Sequence, residues 1–169
     1  MKELEIDKSH LPNFTKWRGL KTLFVETGTN YGNGIYTALN CGFERALSVE
    51  INPILHEQNL QKYANYDNVK LFLGDSKDVL PEMLKLVNEP AFFWIDAHHS
   101  SGDPAFHELE ILKTHHIKTH TILIDDIPVH FPGDLKHGLE KMILEINPAY
   151  RIEYANNAFA QDYILVAYV

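Results

Sequence analysis

The stretch TLFVETGTNYGNG, residues 22–34, passes from a run of β-branched and aromatic residues into a turn carrying three glycines. Thr22 to Glu26 is predicted as a strand, and Ile35 to Cys41 as the helix that the turn opens, stopped by Gly42. A strand that feeds a helix through a tight glycine turn begins a βαβ unit, and the chain repeats this alternation on its carboxyl side.

Arg45 to Glu50 reads as the second strand, and Asn52-Pro53 starts a helix running to Tyr63, because Asn caps and Pro suits the first turn. Val69 to Leu73 is the third strand; Gly74-Asp75-Ser76 opens a helix carrying Val79, Leu80, Met83, Leu84 and Val87 on one face. Ala91 to Ile95 is wholly apolar, as expected of a strand buried on both faces. A helix starts near Pro104 with Phe106, Leu109 and Leu112, and Thr121 to Ile124 is the fifth strand. Leu135, Leu139, Met142, Ile143 and Ile146 mark a last helix ended by Pro148, and the tail from Arg151 offers two strands of an antiparallel hairpin. On the amino-terminal side, Leu11, Phe14, Trp17 and Leu20 are spaced for a short helix leaning on the sheet. The fold class is α/β: a Rossmann-like doubly wound sheet of five parallel strands plus an antiparallel C-terminal pair.

The length of 169 residues suits a single domain, 1–169, with a short N-terminal segment over 1–21. Hydrophobic residues at 45 % supply an ordinary core and argue against disorder. A net charge of −8 repels phosphate backbones and anionic headgroups, so neither nucleic acid nor a membrane is the expected partner. The lone cysteine, Cys41, allows no internal disulfide and no zinc knuckle, and the first residues lack the apolar core of a secretory signal. The expected location is the cytoplasm.

Each of the five parallel strands ends in a carboxylate: Glu26, Glu50, Asp75, Asp96 and the pair Asp125-Asp126. In a doubly wound sheet ligands sit at these carboxyl ends. The turn from Glu26 to Gly34 can bring backbone amides and a helix amino terminus close to a ligand, although its glycines fall as GxxxGxG and not as the dinucleotide GxGxxG. Glu50 either accepts both hydrogen bonds from a ribose diol or is a solvated strand end, and the glycine turn upstream favours the ribose. Asp75 caps the following helix, accepts from an adenine amino group, or does both.

In this ordered set the chain resembles the class I S-adenosylmethionine-dependent methyltransferases, through ETGTNYGNG, SVEIN, Gly-Asp-Ser and WIDAHH. The resemblance covers Thr22 to Val169 and implies a seven-stranded sheet of order 3-2-1-4-5-7-6. It implies that Glu26, Gly28, Gly32 and Gly34, with Thr29, Asn30 and Tyr31 in the same turn, hold the methionyl part. Glu50 and Ile51 would hold the ribose, and Gly74, Asp75 and Ser76 the adenine, with Asp96 closing the cofactor site.

Asp96, Asp125 and Asp126 converge if the fourth and fifth strands are neighbours, and three close carboxylates call for a cation or for protons. Mg²⁺, or Mn²⁺ or Ca²⁺, suits oxygen ligands of this kind; alternatively the Asp pair only caps or turns its segment. The chain is similar here to the metal-dependent O-methyltransferases of the catechol and macrolide-sugar type, which implies Asp96, Asp125 and Asp126 as metal ligands and His99 at the position of the catechol branch's lysine base. His98, Asp103 or metal-bound hydroxide could serve as base instead. The implied reaction is O-methyl transfer to a small-molecule hydroxyl, with the oligomeric state open and a homodimer included. The competing readings are a Rossmann-type NAD-dependent oxidoreductase and a degenerate cofactor-binding module. His107, His115, His116 and His120 are read as mainly structural, Trp17 as core, and Phe131 and Pro132 as a wall of the acceptor pocket.

Overall fold

A computed structural model describes residues 3–98, 104–158 and 160–169. One seven-stranded sheet carries the order β3-β2-β1-β4-β5-β7-β6. Its parallel members are β1 (Leu23–Thr27), β2 (Arg45–Glu50), β3 (Val69–Leu73), β4 (Phe92–Ile95) and β5 (Thr121–Ile124). The reversed pair is β6 (Arg151–Ala155) and β7 (Ile164–Tyr168), with β7 antiparallel to both β5 and β6. The helices between them are α1 (Leu11–Trp17), α2 (Asn33–Asn40), α3 (Pro53–Lys62), α4 (Ser76–Leu84), α5 (Ala105–Thr114), α6 (Ile127–His130) and α7 (Asp134–Ile146). No helix among the described residues is long and apolar enough to cross a membrane.

Alternation along the strands builds two cores. Leu23, Val25, Phe93, Ile95, Ile122 and Ile124 face α4, α5 and α7 on one side, where Leu80, Leu109 and Ile143 meet them. Phe24, Phe92, Trp94 and Leu123 face the other side, where Phe14 of α1 and Ile35 of α2 cover them. Strand β1 is buried at every position because it lies between β2 and β4.

Several boundaries move from their expected places. Strand β1 begins and ends one residue later, which puts Glu26 inside the strand, in register with Ser48 and Trp94. Asn52 caps α3 as expected, its side chain accepting from the Ile54 and Leu55 amides. Leu20 does not lean on the sheet: α1 stops at Trp17, Gly19 turns the chain at φ +57, and Leu20 is 97 % exposed. The single turn α6 has no counterpart in the sequence reading, since four residues containing a proline show no helical period.

Candidate active site

Close approach between the first turn and the end of β4 shapes the site. Gly28 has φ +87, and a Cβ there would stand 2.5 Å from the Asp96 carbonyl oxygen, so only glycine lets the two backbones meet. The Gly28 and Thr29 amides both donate to the Val49 carbonyl, at 3.0 and 3.1 Å. Asn30, at φ +48, donates its amide to Glu50 Oε2 at 2.7 Å, while its carbonyl accepts from Asn59 Nδ2 at 2.7 Å. Beneath the turn, Glu26 accepts from Ser48 Oγ at 2.6 Å, and Ser48 Oγ lies 2.6 Å from Thr29 Oγ1. Burial raises the Glu26 carboxyl well above its ordinary range, and the Asp96 and Glu50 carboxylates add to the shift, whereas the Ser48 bond opposes it.

A cavity of about 470 Å³ opens at these strand ends. Gly28, Asn30, Glu50 and Ile51 line one side, Gly74, Asp75 and Ser76 another, and Asp96, His98 and Asp126 a third. Each Glu50 carboxylate oxygen takes one backbone amide, from Asn30 at 2.7 Å and Asn52 at 2.8 Å, which leaves a lone pair on each for a ligand. Asp75 caps α4 through the Lys77 amide at 3.2 Å and also lines the cavity. Glu26, Thr29, Tyr31, Gly32 and Gly34 do not line it. They hold the turn from behind, with the Gly32 carbonyl accepting from Tyr63 Oη at 2.6 Å and the Tyr31 carbonyl from Lys62 Nζ at 2.7 Å.

The three carboxylates of β4 and β5 point differently. Asp96 accepts from Trp94 Nε1 at 3.2 Å and meets His98 Nε2 at 3.2 Å. Asp126, in the left-handed region at φ +54, lies 3.1 Å from His98 Nε2 and 3.9 Å from His130 Nε2. The His98 hydrogen bond, and after it the Tyr163 hydroxyl, hold Asp126 below the usual carboxylate range, and the bond to Asp126 pushes Tyr163 up to about 12. Asp125 is buried and lies outside the cavity lining, its Oδ2 3.8 Å from His10 Nε2. Burial, and next the Asp96 carboxylate, push Asp125 up to about 8.

Among the described residues, the ligand atoms that all fall within 4.8 Å of one another belong to His98, Asp126 and His130. His130 carries no signal of its own in the sequence beyond its i, i+4 spacing from Asp126, which shares one helix face. His99 and Asp103 lie outside the described residues. His107 lines the cavity, whereas His120 is buried far from it, its Nδ1 accepting the Ala91 amide at 3.0 Å and its Nε2 3.1 Å from His115. Phe131 does not wall the cavity: it is buried in the core against Phe106.

No family model matches the sequence, and no curated protein matches it. In structure the chain is similar to the O-methyltransferase TomG of Streptomyces achromogenes, solved in complex with SAM, at 13 % identity and TM-score 0.67, over 98 % of this chain and 82 % of that one. It is similar to an O-methyltransferase of Bacillus cereus in complex with SAH, at 15 % identity and TM-score 0.66, over 98 % and 82 %. A precorrin-6y C5,15-methyltransferase of Geobacter metallireducens aligns at 16 % identity and TM-score 0.63, over 100 % and 93 %. The chain therefore has the Rossmann-like methyltransferase fold, and these neighbours differ enough in acceptor that the fold carries no acceptor identity.

Proposed function

We propose that this chain is an S-adenosylmethionine-dependent methyltransferase that transfers a methyl group to the hydroxyl of a small molecule, with assistance from a divalent ion, in the cytoplasm. The observation that carries the reading is the convergence of Glu50, Asp75 and Gly28 on one cavity. Two carboxylates at the ends of the neighbouring strands β2 and β3, with the glycine turn after β1 beside them, match the polar outline of a nucleoside with a charged tail. When bound, S-adenosylmethionine supplies an electrophilic methyl, and a divalent ion lowers the pKa of a coordinated hydroxyl.

The chain's own residues do the rest. Glu50 is held by two amides and keeps its free lone pairs toward a ribose diol. Asp75 accepts from an adenine amino group while its other contacts cap α4. Asp96 and Asp126 offer carboxylate oxygens at the cavity wall, and His98, 3.2 Å from Asp96, and His107 are imidazoles lining it that can accept a proton. Asp125, turned toward His10, would have to rotate to join them. Calorimetric titration of the purified chain with S-adenosylhomocysteine, S-adenosylmethionine, NAD and NADP tests the reading. Binding of the first two and of neither nicotinamide is expected; tight NAD binding without response to S-adenosylhomocysteine would replace it with an oxidoreductase.

A further inference from the structure

The cavity ends on a cluster whose chemistry differs from a carboxylate set. His98 comes from the segment after β4, while Asp126 caps α6 and His130 ends it, so two separate elements bring them together. The two imidazole rings stack, with centroids 4.0 Å apart and planes 5° from parallel. Both Nε2 atoms face the same oxygen, Asp126 Oδ2, at 3.1 and 3.9 Å. Ligands that share a small dication at ~2.1 Å lie roughly 3–3.5 Å from one another, so these atoms, all within 4.8 Å, need to draw together and one stacked ring needs to turn for both Nε2 lone pairs to meet one ion. Tyr163 hydrogen-bonds Asp126 as well, which is how ligating carboxylates are usually oriented.

We propose that His98, Asp126 and His130 form a site for a first-row transition dication such as Zn²⁺ or Co²⁺, in preference to Mg²⁺ or Ca²⁺. Two imidazole nitrogens and one carboxylate are borderline ligands that favour these ions, whereas Mg²⁺ and Ca²⁺ prefer all-oxygen surroundings. Three protein ligands leave positions open, and because His98 and Asp126 line the cavity those positions face the space where an acceptor would sit. Holding an ion through Nε2 commits His98, and Asp96, 3.2 Å away, and His107 become the groups left to take a proton. The site's use in methyl transfer rests on the function proposed above; its ability to bind metal does not.

The test is a titration of tag-free, full-length protein with Co²⁺, read by calorimetry and by the visible d–d absorption of the bound ion. Stoichiometric binding is expected, resistant to Mg²⁺ in roughly hundredfold excess. His130→Ala, at a partly exposed position, should keep the circular dichroism of the wild type and lose Co²⁺ affinity by ~100-fold or more. Asp125→Asn should keep the Co²⁺ band. No Co²⁺ binding, equal affinity in His130→Ala, displacement by Mg²⁺, or loss of the band in Asp125→Asn would each overturn the site. Titration of the same metal-free samples with S-adenosylhomocysteine keeps the two ideas apart, since it can fail while Co²⁺ still binds, and the reverse.

Discussion

The carboxyl of Glu26 occupies the space that a side chain at Gly34 would need: a Cβ there would stand 1.9 Å from Glu26 Oε1. The glycine belongs to the start of α2, where alanine would ordinarily stabilise a helix by up to ~1 kcal/mol. Here the sign reverses. Gly34→Ala is expected to destabilise the protein by ~1–3 kcal/mol through overpacking, measured by urea unfolding. In a Glu26→Ala background the same substitution should cost less, giving a coupling of ~0.5–3 kcal/mol in a double-mutant cycle. A wild-type urea midpoint for Gly34→Ala would show that the Glu26 side chain swings away freely.

Glu50 links the first turn to the second strand and faces the cavity, so its removal acts twice. Glu50→Ala should weaken S-adenosylhomocysteine binding by ~1–3 kcal/mol, by loss of charge-assisted hydrogen bonds and of the anchor for the Asn30 amide. Calorimetry measures this directly. Unchanged affinity would move the ribose away from β2.

The strand sequence was legible because each strand differs from its neighbours in period and composition, and the residues that follow strands could be named from the same reading. Glu50, Asp75 and Asp96 line the cavity as that logic requires. What could not be read was direction in space. Asp125 and Asp126 are adjacent in sequence, yet the left-handed backbone at Asp126 sends one side chain into the core toward His10 and the other into the cavity. His130 was hidden for a related reason: its partner Asp126 is brought to it by one short helical turn, too brief to leave a periodic signal. Glu26 lies inside β1 beneath the turn, outside the cavity lining, where Ser48 donates to it.

Acid should destabilise the fold through His120. Burial first, and the neighbouring His115 second, lower its pKa from 6.5 to about 3, because its Nδ1 must stay unprotonated to accept the Ala91 amide. The unfolded chain takes up this proton near 6.5 and the native chain only near 3, so the contribution is complete above pH 6.5 and is lost as pH falls toward 3. The slope is about 1.4 kcal/mol per pH unit, or ~2 kcal/mol between neutrality and pH ~5. Urea unfolding at these two conditions checks it. His120→Asn, which lacks the titration, should show a smaller difference; an equal difference would assign the acid lability to other groups.

The last expectation ties the amino-terminal helix to the site. Phe14 of α1 is fully buried and sits 5.2 Å from Phe24, 5.5 Å from Phe92 and 5.0 Å from Trp94, measured between ring centroids. His10, one turn earlier, lies 4.7 Å from the Trp94 ring. Trp94 in turn donates from Nε1 to Asp96 Oδ2, so α1 braces the indole that orients a cavity carboxylate. Phe14→Ala should remove ~3–5 kcal/mol of stability, since it empties an aromatic cluster that cannot collapse onto so small a side chain. Phe14→Leu keeps most of the volume and should cost ~1–1.5 kcal/mol, leaving the fold intact for a second reading. In that milder variant Trp94 gains freedom, so its emission should shift to the red while Trp17, packed at a tilt against Tyr168 with centroids 4.9 Å apart, stays as it was. Repeating the comparison in a Trp17→Phe background isolates the Trp94 signal. An unshifted spectrum with the expected loss of stability would mean that β4 alone holds the indole, and that α1 covers the sheet without reaching the site.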